Sequence, residues 1–201
     1  MTARDTSGDP AEQERRSGKG RPSSTLRLAA AAVLALAVTG GLYAAGRAIR
    51  PDYTFALFGR AGLAAVALKA QLATAVLALA ALQLLLAAWL YAKLPGAGPA
   101  PRPVPLAHRS IGFALFALTV PIAVHCLFTY GVQLTSARVA IHAVAGCFFY
   151  GAFAAKVLIV RSRRFPGWAL PIAGGTLIVL VVVLWYTAAL WYYNGFRLPG
   201  T

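Results

Sequence analysis

Five apolar runs, at about residues 27–47, 62–92, 109–130, 138–160 and 168–194, contain no Asp or Glu. All five acids of the 201-residue chain (Asp5, Asp9, Glu12, Glu14 and Asp52) precede or separate the first two runs. Each run can supply the ~20 residues that cross a bilayer. Backbone groups in lipid must pair within their own segment, so the runs are expected to be helices. The fold class that follows is all-α, a polytopic transmembrane bundle of about five helices. Composition agrees, with 59% hydrophobic residues and a mean hydropathy of +0.68.

Carboxylate-free spans exclude several chemistries. Carboxylate proton relays and oxygen-rich cation cages both need acids inside the bilayer. Paired-carboxylate hydrolysis fails for the same reason. The net charge of +14 would suit nucleic acid if it lined one solvated face. Instead the basic residues border the apolar runs, as in a protein whose partner is the lipid bilayer, and no nucleic-acid partner is expected.

Residues 1–26 are polar and rich in Gly, Ser, Pro and charge, the composition of a disordered tail, here cytoplasmic. Residues 27–194 form the transmembrane domain, interrupted by a Pro-rich linker at 95–107. The first run lacks a compact cleavage site and is expected to stay as an anchor rather than leave as a signal peptide. Orientation follows the distribution of Lys and Arg. With the N-terminus inside, twelve lie on the cytoplasmic side and Arg47, Arg50, Arg60, Arg138 and Arg197 outside. The expected location is the cell (plasma) membrane, N-terminus cytoplasmic and C-terminus outside. Trp185, Trp191, Tyr192 and Tyr193 then form an outer aromatic belt.

The stretch HCLFTYGVQLTSARVAIH places His125 and His142 on either side of a polar break. Folding the third and fourth spans about that break puts both imidazoles at similar depth in the outer leaflet, each about 10 Å from the membrane centre. His108 is 17 residues before His125, roughly 25 Å away along the same helix, and cannot share a small ligand with the pair. Ionisable groups inside spans are functional candidates, and imidazole is a natural axial ligand for haem iron. Gly112 and Gly146, each four residues after a histidine, would leave room for a flat ring. Lys69 and Arg138, at the depth of the pair, can bind a haem propionate or a quinone oxygen. The candidate cofactor-binding residues are therefore His125, His142, Lys69 and Arg138, with His125 and His142 as metal ligands. No CxxC or CxxCH is present, so covalent c-type haem is excluded. Cys126 and Cys147 read as small buried hydrophobes.

The segment HRSIGFALFALTVPIAVH resembles the histidine-bearing helices of bis-His b-type membrane cytochromes, including the ferric-reductase and ascorbate-reducing types. The runs HRSIG, PIAVHCLF, HAVAGCFFYGAFAAKVL, PGWALPIAGG and LKAQLATAVLALAALQ are also similar to a family of uncharacterised multipass proteins of high-GC Gram-positive bacteria. That second likeness implies no activity. The cytochrome likeness implies one haem b on His125 and His142, and a membrane or periplasm-side redox partner. It departs from the pattern in its histidine spacing, which is longer than usual, and in having only three histidines, too few for two bis-His haems. Close-packed neighbouring helices lie 8–10 Å apart, so a porphyrin needs the two helices splayed or set diagonally. Two other readings stay open. One is an accessory subunit of a membrane complex, in which the histidines are hydrogen-bonded packing residues. The other is a copper protein using His125, Cys126 and His142, with Cys147 as a further ligand set ~140° around the helix from His142. No dinucleotide fingerprint is present, so reductase catalysis would need a partner, and the sequence assigns no enzyme class.

Overall fold

The computed structural model describes residues 24–162 and 165–198. The tail expected at 1–26 falls outside the described residues as far as residue 23. Five helices follow that are long and apolar enough to cross a membrane. They are α1 (Ser24–Ala48), α2 (Gly62–Leu90), α3 (Pro103–Tyr130), α4 (Ala137–Ser162) and α5 (Ala169–Trp185), the last continuing through a π-helical turn (Tyr186–Leu190) into α6 (Trp191–Tyr193). The described residues hold no strand, only a single bridge between Leu57 and Arg60. The chain is a multi-pass membrane protein with an all-helical fold.

Helix α3 begins at Pro103, inside the segment 95–107 expected as linker. Pro103 and Pro105 sit in its first turn, where a missing N–H costs nothing and a fixed φ suits the helix. Pro121 lies deeper in the same helix. The break between α3 and α4 falls at residues 131–136. Gly131 makes it possible, with φ at +64° and the main-chain oxygen of Gly46 so close that a Cβ would collide with it.

Large side chains point outward, as lipid-facing helices require: Leu36 is 67% exposed and Phe113 73%. Between helices in lipid there is no hydrophobic driving force, so close packing of small residues takes over. Ala65, Ala80 and Ala189 are almost fully buried. At Gly151 in α4 an added Cβ would collide with Thr39 and the Ala35 main chain of α1, and α1 packs along α4 accordingly. Helix α5 packs on α4 and α2, and α2 on α3. A mid-bundle core of Val76, Ala80, Ala145, Phe149, Leu177 and Leu180 ties α2, α4 and α5 together.

The consecutive helices α3 and α4 are not a close-packed hairpin. They meet through large side chains: Phe116 stacks on Phe153 at 4.0 Å, and Tyr150 Oη donates to Thr119 Oγ1 at 3.2 Å. Aromatic rings hold the two backbones apart, so α3 and α4 face each other across the bundle instead of touching along their length.

Candidate functional site

Polar side chains gather at the end of the bundle where α2 begins, α3 ends and α4 begins. His125 is the largest fully enclosed side chain among the described residues, 1% exposed. Its neighbours come from two elements. On α3, one turn on, the Thr129 hydroxyl lies 3.3 and 3.4 Å from the two ring nitrogens, and Tyr130 meets the ring edge-on. From the α1–α2 connection, Phe55 packs over the ring at 5.9 Å and against Phe128. That connection is pinned where Asp52 N donates to Phe128 O and Val132 N donates to Gly46 O. Arg47 donates to Val132 O at 3.2 Å. The connection therefore closes over His125 as a cap.

His142 has a different environment, built by the π-helical turn. Widening one turn to the i→i+5 pattern disturbs the ladder of main-chain bonds, a feature frequent at functional sites. Arg138, one turn before His142, donates to Thr187 O at 2.9 Å and lies over the Trp191 ring at 3.8 Å. The Thr187 hydroxyl donates to Val183 O at 2.7 Å and is 2.9 Å from His142 Nδ1. A hydroxyl has one proton. With it on Val183 O, the hydroxyl accepts from His142, so Nδ1 carries the imidazole proton and Nε2 keeps its lone pair.

Lys69 connects the two halves. It is half-buried and turned into the bundle, with Nζ 3.9 Å from Cys126 Sγ and 4.4 Å from the Tyr130 ring centroid. Both imidazoles lie within its electrostatic reach. No carboxylate is available to it: Asp52 is the one acid among the described residues, and it binds Thr54.

The structure thus brings His125, His142, Lys69 and Arg138 to one end of the bundle. Among the described residues no hydrogen bond or ring contact joins the two histidines. A copper site would need three ligands to converge, and no group of three or more His, Cys, Asp or Glu does so among the described residues. Cys126 is turned to Lys69 and His142 to Thr187. The space beside Gly112 is occupied by protein, whereas Gly146 has a single neighbour at ordinary contact distance. The Gln83 carboxamide lies against Gly112, 2.9 Å from where a Cβ would be, and a Leu184 methyl against Gly146. Trp185 Nε1 donates to Thr74 Oγ1 at 3.0 Å and Trp191 stacks on Arg138, so two of the belt aromatics are fastened to polar partners within the bundle.

Sequence reasoning missed Thr187 and Phe55. Thr187 is one of only two threonines in an otherwise apolar final run, which was its available signal. Phe55 had none, because a connecting loop has no periodicity to read.

The chain belongs to the family of unknown function DUF6529, whose model matches residues 28–200. Neither a curated protein nor a solved structure matches it.

Proposed function

We propose that the protein is an electron carrier of the cell membrane that holds one b-type haem on His125 and His142. The observation that carries this reading is the state of His142. Its Nδ1 proton is committed to a fixed hydroxyl, and its Nε2 lone pair is left for a ligand. Ligating imidazoles are oriented in this way, by a hydrogen bond from the other ring nitrogen. Bound haem iron supplies one-electron transfer.

The rest follows from what the side chains do. Thr187 fixes the ring plane of His142, and Arg138 holds the π-helical turn that presents Thr187. Lys69, a cation with no carboxylate partner among the described residues and within electrostatic reach of both imidazoles, attracts an anionic group such as a propionate. Phe55 and Tyr130 exclude water from His125. The aromatic spacers between α3 and α4 meet the demand that the two ligand-bearing helices not be in close contact. The twelve-to-five distribution of Lys and Arg supports an orientation with this end of the bundle in the outer leaflet and the N-terminus cytoplasmic. The redox partner is then a membrane or periplasm-side protein.

A second reading rests on the enclosure of His125 at 1% exposure. A histidine boxed in by Phe55, Tyr130 and Thr129 suits a packing residue in an accessory subunit, and polar bridges between spans are modestly stabilising. Purified full-length protein, expressed with a haem precursor, separates the two. The carrier predicts sharp b-type bands in the dithionite-reduced minus oxidised spectrum and about one haem per chain. A colourless, folded protein would establish the packing reading.

A further inference from the structure

Beside the histidine pair, an amine of α2 and a thiol of α3 are in contact. Lys69 Nζ lies 3.9 Å from Cys126 Sγ. The Tyr130 ring, one turn beyond Cys126, has the same nitrogen 4.4 Å from its centroid. An ammonium over a ring face is held electrostatically, so the nitrogen is kept beside the sulfur. Asp52, the one acid among the described residues, is bonded to Thr54 and does not draw the lysine away. A thiol that oxidants turn into an electrophile therefore sits against a nitrogen nucleophile.

Cys126 is open to an oxidant. It is a free thiol and only half-buried, whereas Cys147 is a free thiol enclosed in α4. Cys126 lies four residues before the end of α3 at Tyr130, about 6 Å along the axis. A helix of 28 residues is about 42 Å long and overshoots a ~30 Å hydrocarbon core by about 6 Å at each end. The thiol thus sits at the hydrocarbon edge, where lipid-soluble oxidants arrive and water can take up a proton. A sulfenic acid formed there condenses with a neighbouring thiol or nitrogen, and the nitrogen already in contact is Lys69 Nζ.

We propose that Lys69 and Cys126 are a modification site, joined by a hydroperoxide into a sulfenamide between Nζ and Sγ. In the first step the sulfur gives two electrons to the hydroperoxide and the O–O bond breaks. One oxygen joins the sulfur as a hydroxyl, and the other takes the thiol proton and leaves as the alcohol. In the second step Lys69 Nζ gives one ammonium proton to water and attacks the sulfur. The N–S bond forms as the S–O bond breaks, and a second proton from the nitrogen leaves with the hydroxyl as water. A dithiol reductant cleaves the N–S bond and restores both side chains. The bond staples α2 to α3 and removes the charge of Lys69. It needs no haem; only its consequence, withdrawal of the cation offered to a propionate, rests on the haem reading.

The test is peptide mass spectrometry of the full-length protein in nanodiscs, made without added haem precursor so that its outcome is independent of the haem reading. The protein is treated with tert-butyl hydroperoxide, denatured, alkylated and digested. The expected product joins the Lys69 and Cys126 peptides at about 2 Da below the sum of their masses and is lost on adding dithiothreitol. Lys69→Met is expected to abolish it and to leave Cys126 as a sulfenic acid that dimedone traps, an adduct scarce in wild type. Cys126→Ser is expected to abolish both products. Cys147, 7% exposed, is expected to stay alkylatable in all three proteins. The wild-type cross-link is read directly, so the test stands even if a variant fails to fold. An unmodified Cys126, a Cys126–Cys147 disulfide, or equal dimedone labelling of wild type and folded Lys69→Met would overturn the proposal. A linked pair heavier than its parts by one oxygen less two hydrogens would overturn the direct N–S bond.

Discussion

The two ends of this bundle carry the same kinds of group, imidazole and lysine with no carboxylate partner among the described residues, and treat them differently. At the histidine-pair end the protein fixes each ring with close neighbours and leaves the His142 Nε2 lone pair over. Thr187 takes the His142 proton, Arg138 takes the Thr187 carbonyl, and Phe55 and Tyr130 close over His125. At the proline-linker end His108 Nδ1 is left over. The difference teaches that residue type does not make a site in a membrane; what matters is whether the neighbours fix one ring nitrogen so that the other is presented.

Substitutions can break that contrast. The largest effect is expected from Thr187→Val, which leaves the His142 N–H unpaired in the bilayer and should cost about 1–3 kcal/mol in reversible unfolding from detergent. A double-mutant cycle with His142→Leu should recover a coupling of about 0.6–1.7 kcal/mol. Additivity would mean that the hydrogen bond contributes nothing. Lys69→Met is expected to act in the other direction. It removes a half-buried cation that has no ion-pair partner among the described residues, so stability should stay level or rise by about 1 kcal/mol; a clear loss would mean that Lys69 is anchored by more than sulfur and a ring face.

The smallest effect concerns the cap over His125. The Asp52 carboxyl is held below its ordinary range by hydrogen bonds from the Thr54 side chain and main chain. A depressed folded-state value contributes stability above the unfolded value and loses it as pH falls through the folded one. Below the usual carboxylate range the 49–61 connection should therefore exchange amide hydrogens faster, and Asp52→Asn should show the fast rate already at neutral pH. Equal exchange in both proteins at all pH values would remove Asp52 from the cap.

The spans were legible because long acid-free apolar runs have few alternatives, and the four polar residues chosen at the histidine-pair end do gather there. The helix partners were not legible. A helix that is apolar all round has no face to read, so nothing in the runs announced that α4 would pack on α1 at Gly151, or that Phe116 and Phe153 would hold α3 away from α4. The expected room beside Gly112 failed for the same reason. A glycine signals close approach, but only the fold says whether a cofactor or a Gln83 carboxamide approaches. The π-helical turn was invisible because Tyr-Thr-Ala-Ala-Leu has no composition that distinguishes it from ordinary helix.

The central claim is that His142, oriented by Thr187, is a ligand and that His108 is not. The measurement that tests it most directly is the reduced-minus-oxidised spectrum of His142→Ala recorded beside His108→Ala, both purified as folded full-length protein with haem supplied. The account predicts b-type bands lost in His142→Ala and kept in His108→Ala. Bands kept in His142→Ala, or lost only in His108→Ala, would contradict it.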